Sequence, residues 1–187
     1  MFEPSVEGER VLLRPPREAD RAALIQVAQR SEAWLRPWSP LPPDGEEAYG
    51  AVFFDRVMAG ASTETARRFL VVRRADEAVA GLVAITQISR GVFQSCCVGY
   101  WMGEAFANQG LMTEALRLSL GVIFDELALH RVEANIMPNN LPSLRLVQRL
   151  GFRREGLSRR YLRIAGVWED HERWAMTVED WRGDGLS

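Results

Sequence analysis

Three features are scarce in this 187-residue chain: long apolar runs, an excess of charge, and cysteine. No stretch of 18 consecutive apolar residues occurs, so the sequence predicts no membrane-spanning helix. The first residues do not form a basic segment followed by an apolar one, so we expect no secretory signal and a cytoplasmic protein. The 23 basic and 25 acidic residues leave a formal net charge of −2, which argues against a general nucleic-acid-binding surface.

The two cysteines, Cys96 and Cys97, are adjacent in the chain. Neighbouring residues of a strand point to opposite faces of a sheet, so a disulfide between these two is not expected. Apolar residues make up 47% of the chain, as in an ordinary globular protein, and 187 residues are enough for a sizeable core. We therefore expect a single domain over residues 1–187.

Apolar periodicity predicts the chain order β, α, α, β, β, β, α, β, α, β, β. Four prolines between positions 37 and 43 argue against regular structure in residues 34–43. The three strands between residues 69 and 102 are joined by links too short for crossovers, which predicts an antiparallel meander within a mixed α/β fold. The predicted strands are 11–14, 69–72, 80–88, 93–102, 131–137, 152–162 and 167–178; the predicted helices are 18–30, 44–59 with Asp44 as its N-cap, 111–127, and one between Asn140 and Gly151.

The stretch from Ala107 to Ala115 joins a predicted strand to a predicted helix through Gly110. The first turn of a helix has free N–H groups and the positive end of the macrodipole, and a glycine there lets a ligand approach the backbone closely. Thr113 would add a hydroxyl. This arrangement predicts a phosphate or pyrophosphate site. Neither a Walker loop nor a dinucleotide fingerprint fits, because no lysine lies near Gly110 and the other glycines are missing.

The same stretch resembles the acetyl-CoA loop of the GNAT acyltransferase superfamily, Q/R-x-x-G-x-G/A. Here the frame reads Ala107-x-x-Gly110-x-Met112, which departs from the pattern at its first and last positions. About 25 residues later, 140–143 (NLPS) and 150–152 (LGF) match the family segment N-x-x-S…L-G-F. The resemblance implies the GNAT fold: a central mixed sheet with helices on both faces and a V-shaped splay between two middle strands.

Within that superfamily the chain is similar to the ribosomal-protein-alanine N-acetyltransferases, especially the S5-directed type. The resemblance covers essentially the whole chain and is carried by four blocks: 35–38 (LRPW), 109–112 (QGLM), 130–135 (HRVEAN) and 161–171 (YLRIAGVWEDH). It implies acetyl transfer from acetyl-CoA to the α-amine of a protein such as a ribosomal protein. It also implies no metal, no direct nucleic-acid or membrane partner, and a monomer or homodimer. Three alternatives stay open: a small-molecule amine acetyltransferase, a non-catalytic acyl-CoA-binding module, and an unrelated phosphate-binding protein.

The resemblance also assigns cofactor-binding residues. The pantetheine arm of acetyl-CoA should lie along Tyr100, Trp101 and Met102, on a strand that parts from the strand of Val132. Asn140 should contact the same arm. Arg145 or Arg149 would meet the outer phosphates, or would form an ordinary solvated helix face. The pyrophosphate should lie on the backbone amides of Gln109, Gly110, Leu111, Met112 and Thr113.

Acetyl transfer to an amine requires a neutral amine, a polarised carbonyl and a proton for the departing thiolate. Glu133 is the first candidate for the base. The alternative is that Glu133 is a surface carboxylate paired with an arginine such as Arg131. Glu104, His171 and a water chain are the other candidates.

Some family members supply the proton from a tyrosine that corresponds to Val147 here, so that role is empty in this chain. Ser143 is the available hydroxyl, as in relatives that use a serine.

The residues predicted to bind the acceptor substrate are Trp38, Glu104, Tyr161 and His171. Trp34 and Trp38 lie in the proline-rich segment, and their large apolar side chains should be either buried or in contact with a ligand. They either attach that segment to the core or form an apolar wall beside the acceptor.

Overall fold

The computed structural model describes residues 5–40 and 47–183, and its eight strands form one mixed sheet in the order β1-β2-β3-β4-β5-β6-β8-β7. The strands are β1 (Val6–Glu7), β2 (Val11–Arg14), β3 (Arg67–Arg73), β4 (Ala78–Ser89), β5 (Ser95–Met102), β6 (Arg131–Ile136), β7 (Arg153–Ile164) and β8 (Val167–Thr177). The helices are α1 (Arg21–Arg30), α2 (Glu32–Leu35), α3 (Ala51–Ala59), α4 (Leu111–Gly121), α5 (Leu141–Arg149) and α6 (Val178–Arg182).

The sheet is antiparallel everywhere except between β5 and β6. The β3–β4–β5 meander predicted from the short links is confirmed. The parallel β5–β6 pair joins only residues 95–97 to residues 131–133. Beyond Cys97 and Glu133 the two strands part, which confirms the predicted splay between middle strands.

Successive apolar side chains of a strand point to opposite faces of the sheet, so both faces are apolar. Helices cover both of them. On one face, Cys96, Val98, Val132 and Ala134 pack in a core cluster that includes residues of α4 and α5. On the other face, apolar residues of β3 and β4 pack against α1 and α3; these are Leu70, Val72, Val79 and Leu82, with Leu24, Phe54 and Val57 from the helices. The mixed α/β architecture expected from the sequence is therefore confirmed.

Two predictions in the N-terminal part are wrong. Residues 34–38 are not irregular: α2 ends at Leu35 and a 3-10 turn follows over Arg36–Trp38. Pro37 is tolerated because it lies in the first turn, where its missing N–H has no helical partner to lose. The next helix begins at Ala51, after an extended Gly50, and not near Asp44. Asp44 itself, like the rest of residues 41–46, lies outside the described residues.

The long central helix changes type part-way along. It is α-helical over α4 and continues as a π-helical turn over Val122–Glu126, where the prediction had one uniform helix. Besides α2, two other short elements, β1 and α6, were not predicted. The signal for α6 was present, because Thr177 and Asp180 form a capping box at its start.

In the part of the chain that the structure describes, no helix has the length and hydropathy needed to cross a bilayer. Within the same residues, no group of three or more His, Cys, Asp or Glu side chains is arranged to hold a metal ion.

Candidate active site

A cavity of about 1070 Å³ opens where β5 and β6 part. It is lined by residues from both faces of β5: Val98 and Tyr100 belong to one face, and Gly99 and Trp101 to the other. The cavity therefore extends through the sheet, from one face of β5 to the other. Its volume slightly exceeds the usual range for small-molecule sites, roughly 300–1,000 Å³, which suits a long ligand.

One end of the cavity is formed by the N-terminus of α4. Gly110 is the N-cap residue with φ +75°, and Gly110, Leu111, Met112 and Thr113 line the cavity. The amides of residues 111–113 belong to the first turn and have no acceptor within the helix. These amides and the helix dipole are suited to bind an anion, and they are the groups from which the sequence predicted a phosphate site.

An interaction between Arg10 and Glu114, called the brace below, holds the start of α4 in place. The Glu114 carboxylate accepts hydrogen bonds from the backbone N–H of Arg10 at 2.8 Å and of Val11 at 3.3 Å, and from Arg10 Nε at 3.1 Å. Arg10 Nη1 also donates to the carbonyl of Gln109 at 2.9 Å. Burial by itself would raise the pKa of the Glu114 carboxyl, but these hydrogen bonds outweigh burial and lower the pKa. The brace links β2 to the loop and holds the backbone that carries Gly110.

Gln109 differs from the other four residues predicted to bind the pyrophosphate. Its side chain turns back and Nε2 donates to the carbonyl of Ala105 at 2.9 Å. Gln109 is not among the residues that line the cavity. Its contribution to the site, as the structure describes it, is the carbonyl held by Arg10.

The N-terminus of α5 forms the opposite wall. Asn140 is its N-cap, with Oδ1 accepting from the Ser143 backbone N–H at 3.3 Å, and Pro142 lies in the first turn, as the sequence predicted. Across the cavity the Tyr100 hydroxyl lies 2.6 Å from Ser143 Oγ. Burial raises the pKa of Tyr100 to about 12, against the opposing effect of the hydrogen bond to Ser143. Val147 is fully buried in the core under this helix.

Arg145 and Arg149 lie one turn apart on α5 and both line the cavity. Both side chains are exposed, and neither takes part in an ion pair within residues 5–40 and 47–183. Two guanidinium groups without a carboxylate partner among the described residues add positive charge to the wall of the cavity.

Glu133 does not line the cavity. Its side chain is 10% exposed, and each carboxylate oxygen is engaged by an arginine: Oε1 accepts from Arg131 Nε at 3.0 Å and Oε2 from Arg173 Nη2 at 2.6 Å. With these contacts, Glu133 fits the role of a paired structural carboxylate better than that of the general base. Glu104 is exposed and also lies outside the cavity lining.

His171 lines the cavity and is 3% exposed. Its Nδ1 lies 3.0 Å from the backbone carbonyl of Glu169. A carbonyl oxygen only accepts hydrogen bonds, so Nδ1 carries the proton of the neutral ring and Nε2 carries the lone pair. The ring of Tyr161, another predicted acceptor residue, lies 5.8 Å from the His171 ring. Among the three side chains considered as bases, His171 is the one that lines the cavity, and its Nε2 has no hydrogen-bond partner among the described residues.

A β-bulge in β7 places Tyr161 at the cavity. Ser158 pairs with His171 and Leu162 with Glu169, so β7 has two extra residues between these pairs. Arg160 lies in this bulge with φ +47°, and its N–H donates to Asp170 Oδ1 at 2.8 Å. Such bulges redirect side chains near functional sites, and this one could not be read from alternation alone.

The β7–β8 hairpin and the α2 segment meet at the cavity, near the residues that the sequence predicted to contact the acceptor. The backbone N–H of Ala165, at the hairpin turn, donates to the carbonyl of Ser39 at 3.2 Å. Trp38, which was predicted to contact the acceptor, lines the cavity together with Trp34 and Trp168. Trp168 is 60% exposed and was not predicted as a site residue, although its place in the block 161–171 was a usable signal.

Neither cysteine is placed for covalent catalysis. Burial raises the pKa of Cys96 to about 12 and also raises the pKa of Cys97, so neither is a thiolate at neutral pH. Neither residue lines the cavity.

Comparison with known proteins agrees with this geometry. A family model for the acetyltransferase (GNAT) domain matches residues 10–153. The [ribosomal protein uS5]-alanine N-acetyltransferase of Escherichia coli is 30% identical over 179 residues, covering 92% of this chain and 90% of that protein. A probable N-acetyltransferase of Bacillus subtilis, YjcK, is 42% identical over 112 residues; that match covers 60% of this chain and 62% of the relative, slightly less than two thirds of its length.

Among solved structures, RimJ of Mycobacterium smegmatis in complex with CoA-disulfide superposes with a TM-score of 0.83 at 31% identity. The match covers 91% of this chain and 83% of that one. That structure was solved with a coenzyme A derivative bound.

Proposed function

Because this chain belongs to the GNAT acetyltransferase family, we propose that it moves the acetyl group of acetyl-CoA to the N-terminal α-amine of a protein, a ribosomal protein first among the candidates. The observation that carries the proposal is the cavity through the sheet, which joins an anion-binding helix N-terminus to a separate rim of aromatic side chains. A cytoplasmic location and a single domain over residues 1–187 belong to the same proposal.

Acetyl-CoA is the acetyl donor, and its diphosphate is assigned to the amides of residues 110–113. Arg145 and Arg149 are assigned to its outer phosphates, because both guanidinium groups face the cavity without a carboxylate partner among the described residues. The pantetheine arm is assigned to the gap between β5 and β6, along Tyr100, Trp101 and Met102. Peptide groups of β5 that face β6 beyond Cys97 have lost their strand partner, and a buried free peptide group favours a ligand that can bind it.

The acceptor amine is assigned to the side of His171 and Tyr161. A peptide α-amine has a pKa of roughly 7.7–8.0, so a substantial share is neutral near pH 8 and a modest base is sufficient. His171 Nε2 is assigned as that base, since His171 lines the cavity and Nε2 has no partner among the described residues, while both oxygens of Glu133 are engaged by arginines. Holding amine and thioester together supplies much of the acceleration, because effective molarities are worth roughly 7–11 kcal/mol.

Ser143 is assigned as the proton donor to the departing thiolate. Its hydroxyl lies at the first turn of α5 and lines the cavity. The peptide N–H groups of β5 that lack a strand partner are suited to stabilise the negative charge that develops on the thioester oxygen.

The proposal is tested with the purified full chain, acetyl-CoA and a library of peptides with free α-amines. We expect release of CoA thiol together with a peptide product whose α-amine is acetylated. Acetylation of polyamines or aminoglycosides with no peptide product would assign the protein to small amines. Tight CoA binding without turnover on any amine would make it a non-catalytic acyl-CoA-binding module.

A further inference from the structure

The contact between Tyr100 and Ser143 joins two elements far apart in sequence. The two oxygens lie 2.6 Å apart, with Tyr100 on β5 and Ser143 at the start of α5. Both side chains line the cavity. Within the described residues, the Ser143 hydroxyl has no other side-chain partner, so the serine and the phenol form an isolated pair.

Serine is a poor acid by itself. A serine that gives its proton to a thiolate becomes an alkoxide, which is a far stronger base than the thiolate it has neutralised. The donation becomes feasible when a second donor supplies a proton to the serine oxygen at the same time. A phenol is protonated at neutral pH and is available as that donor. Burial raises the pKa of Tyr100 to about 12, so the phenol recovers its proton fully between turnovers.

We propose that Tyr100 is a positioning residue that acts through Ser143: its hydroxyl donates to Ser143 Oγ and turns the Ser143 proton toward the sulfur of the leaving coenzyme. The acceptor nitrogen forms its bond to the carbonyl carbon and gives its proton to His171 Nε2. When the carbon–sulfur bond then breaks, its electron pair stays on sulfur, the Ser143 proton moves to sulfur, and the Tyr100 proton moves to Ser143 Oγ. The proton held by His171 returns to the phenol through solvent, which restores both groups. The inference rests on the proposed acetyl-transfer function.

A second tyrosine–serine pair provides a matched control. The Tyr49 hydroxyl lies 3.1 Å from Ser39 Oγ, and Tyr49 is buried but does not line the cavity. Tyr49→Phe removes a buried phenol hydroxyl from the same kind of contact, as Tyr100→Phe does. The two substitutions therefore differ mainly in whether the hydroxyl faces the proposed leaving group.

The test is a double-mutant cycle with Tyr100→Phe, Ser143→Ala and their combination, measuring kcat and the KM for acetyl-CoA by thiol release. We expect each single variant to lose roughly 100-fold in kcat, a typical value for a lost general acid, with a much smaller change in KM. The combined variant should be no slower than Ser143→Ala alone, because a positioning residue has no effect once the group it positions is gone. Tyr49→Phe should keep its kcat.

Two results would overturn the inference: a kcat of Tyr100→Phe within about twofold of the wild type, or losses that multiply in the combined variant. A tyrosine that only fills the core would lower the melting temperature or raise KM and would not couple to Ser143, so thermal unfolding and CoA calorimetry of each variant separate that case. Turnover by the wild type in the same assay tests the proposed function independently. Absence of wild-type turnover would count against the function, whereas the ratios between variants decide the role of Tyr100.

Discussion

The two ends of the cavity are built in different ways. At the anion end, the wall is a helix N-terminus whose ligand-binding groups are backbone amides, and an ion pair between Arg10 and Glu114 fixes it to β2. At the acceptor end, the wall consists of side chains from α2, its 3-10 turn and the β7–β8 hairpin, which meet through the hydrogen bond between Ala165 and Ser39.

This difference predicts different tolerances to substitution. Backbone amides present the same groups whatever the side chains are, so the anion end should be sensitive mainly to changes that block the helix mouth. The acceptor end should change gradually as single side chains are replaced. Donor binding and acceptor selection are then separable properties, and four substitutions test that separation.

Gly110→Glu should have the largest effect, the loss of acetyl-CoA binding. The substitution places a carboxylate at an anion site, and Gly110 has φ +75°, where a side chain is strained. A Cβ there would also lie 3.1 Å from Arg10 Nη2. Calorimetry of acetyl-CoA binding measures the loss.

Gly91→Glu is the matched control for that substitution. Gly91 has φ +68° in an exposed turn, and a Cβ at this position would have no other atom within 4 Å, so strain and charge are reproduced away from the cavity. If Gly110→Glu retained its affinity for acetyl-CoA, the N-terminus of α4 would not be the binding site of the diphosphate.

His171→Gln should reduce kcat roughly 100-fold, because the lone pair assigned to deprotonate the acceptor amine is lost. Glu133→Gln is the comparison: it weakens the contacts to Arg131 and Arg173 and should lower the melting temperature while changing kcat little. Steady-state kinetics with an acetylatable peptide distinguishes the two. The reverse outcome, with kcat lost in Glu133→Gln and retained in His171→Gln, would assign the base to Glu133.

Trp168→Ala should raise the KM for the peptide about tenfold and leave the KM for acetyl-CoA unchanged. Burying a large aromatic side chain against a ligand contributes roughly 1.5–3 kcal/mol, and Trp168 lies on the rim with 60% of its surface free. Phe93→Ala, an exposed aromatic residue at the β4–β5 turn, is the control. A rise in the KM for acetyl-CoA alone would place Trp168 at the donor end and break the separation.

Glu114→Gln should have the smallest effect on activity and a measurable effect on stability. The pKa of Glu114 is lowered in the folded state, so its stabilisation is present above the ordinary carboxyl pKa and is lost as the pH falls through the lowered value. The wild type should exceed the variant by about 1.5–3 kcal/mol in unfolding free energy at pH 7.

That difference should shrink as the pH falls below about 4.3. Urea unfolding at several pH values measures it. Glu64→Gln, at an exposed position, serves as the control and should show no such trend. A difference that is constant with pH would mean that the Glu114 charge does not contribute to the brace.

The sequence allowed most of the fold to be predicted because its signals are local. Asn140 and Pro142 mark the start of α5, Gly110 marks the start of α4, and the short links of the β3–β4–β5 meander leave no room for crossovers. The wrong predictions are also local. The prolines after Trp34 suggested irregular structure, yet Pro37 fits the first turn of a 3-10 segment.

The candidate site was predictable where its residues are contiguous and much less so where they are not. Residues 110–113 and 140–143 carry a recognisable spacing, and both groups include cavity-lining residues. The engagement of Glu133 by Arg173 joins residues 40 positions apart, and the brace between Arg10 and Glu114 joins residues more than 100 apart. No pattern within one segment encodes such pairs.

The order of residues alone predicts a helix N-terminus suited to a phosphate, the mixed sheet and the relationship to the GNAT family. Each of these depends on residues that are neighbours in the chain. Tertiary structure alone decides which polar side chains have free atoms. It engages both oxygens of Glu133, places His171 at the cavity with its Nδ1 held by a backbone carbonyl, and brings the Tyr100 hydroxyl to Ser143. The reason is geometric: a side chain's role depends on which groups lie within about 3 Å of it, and chain folding sets those distances.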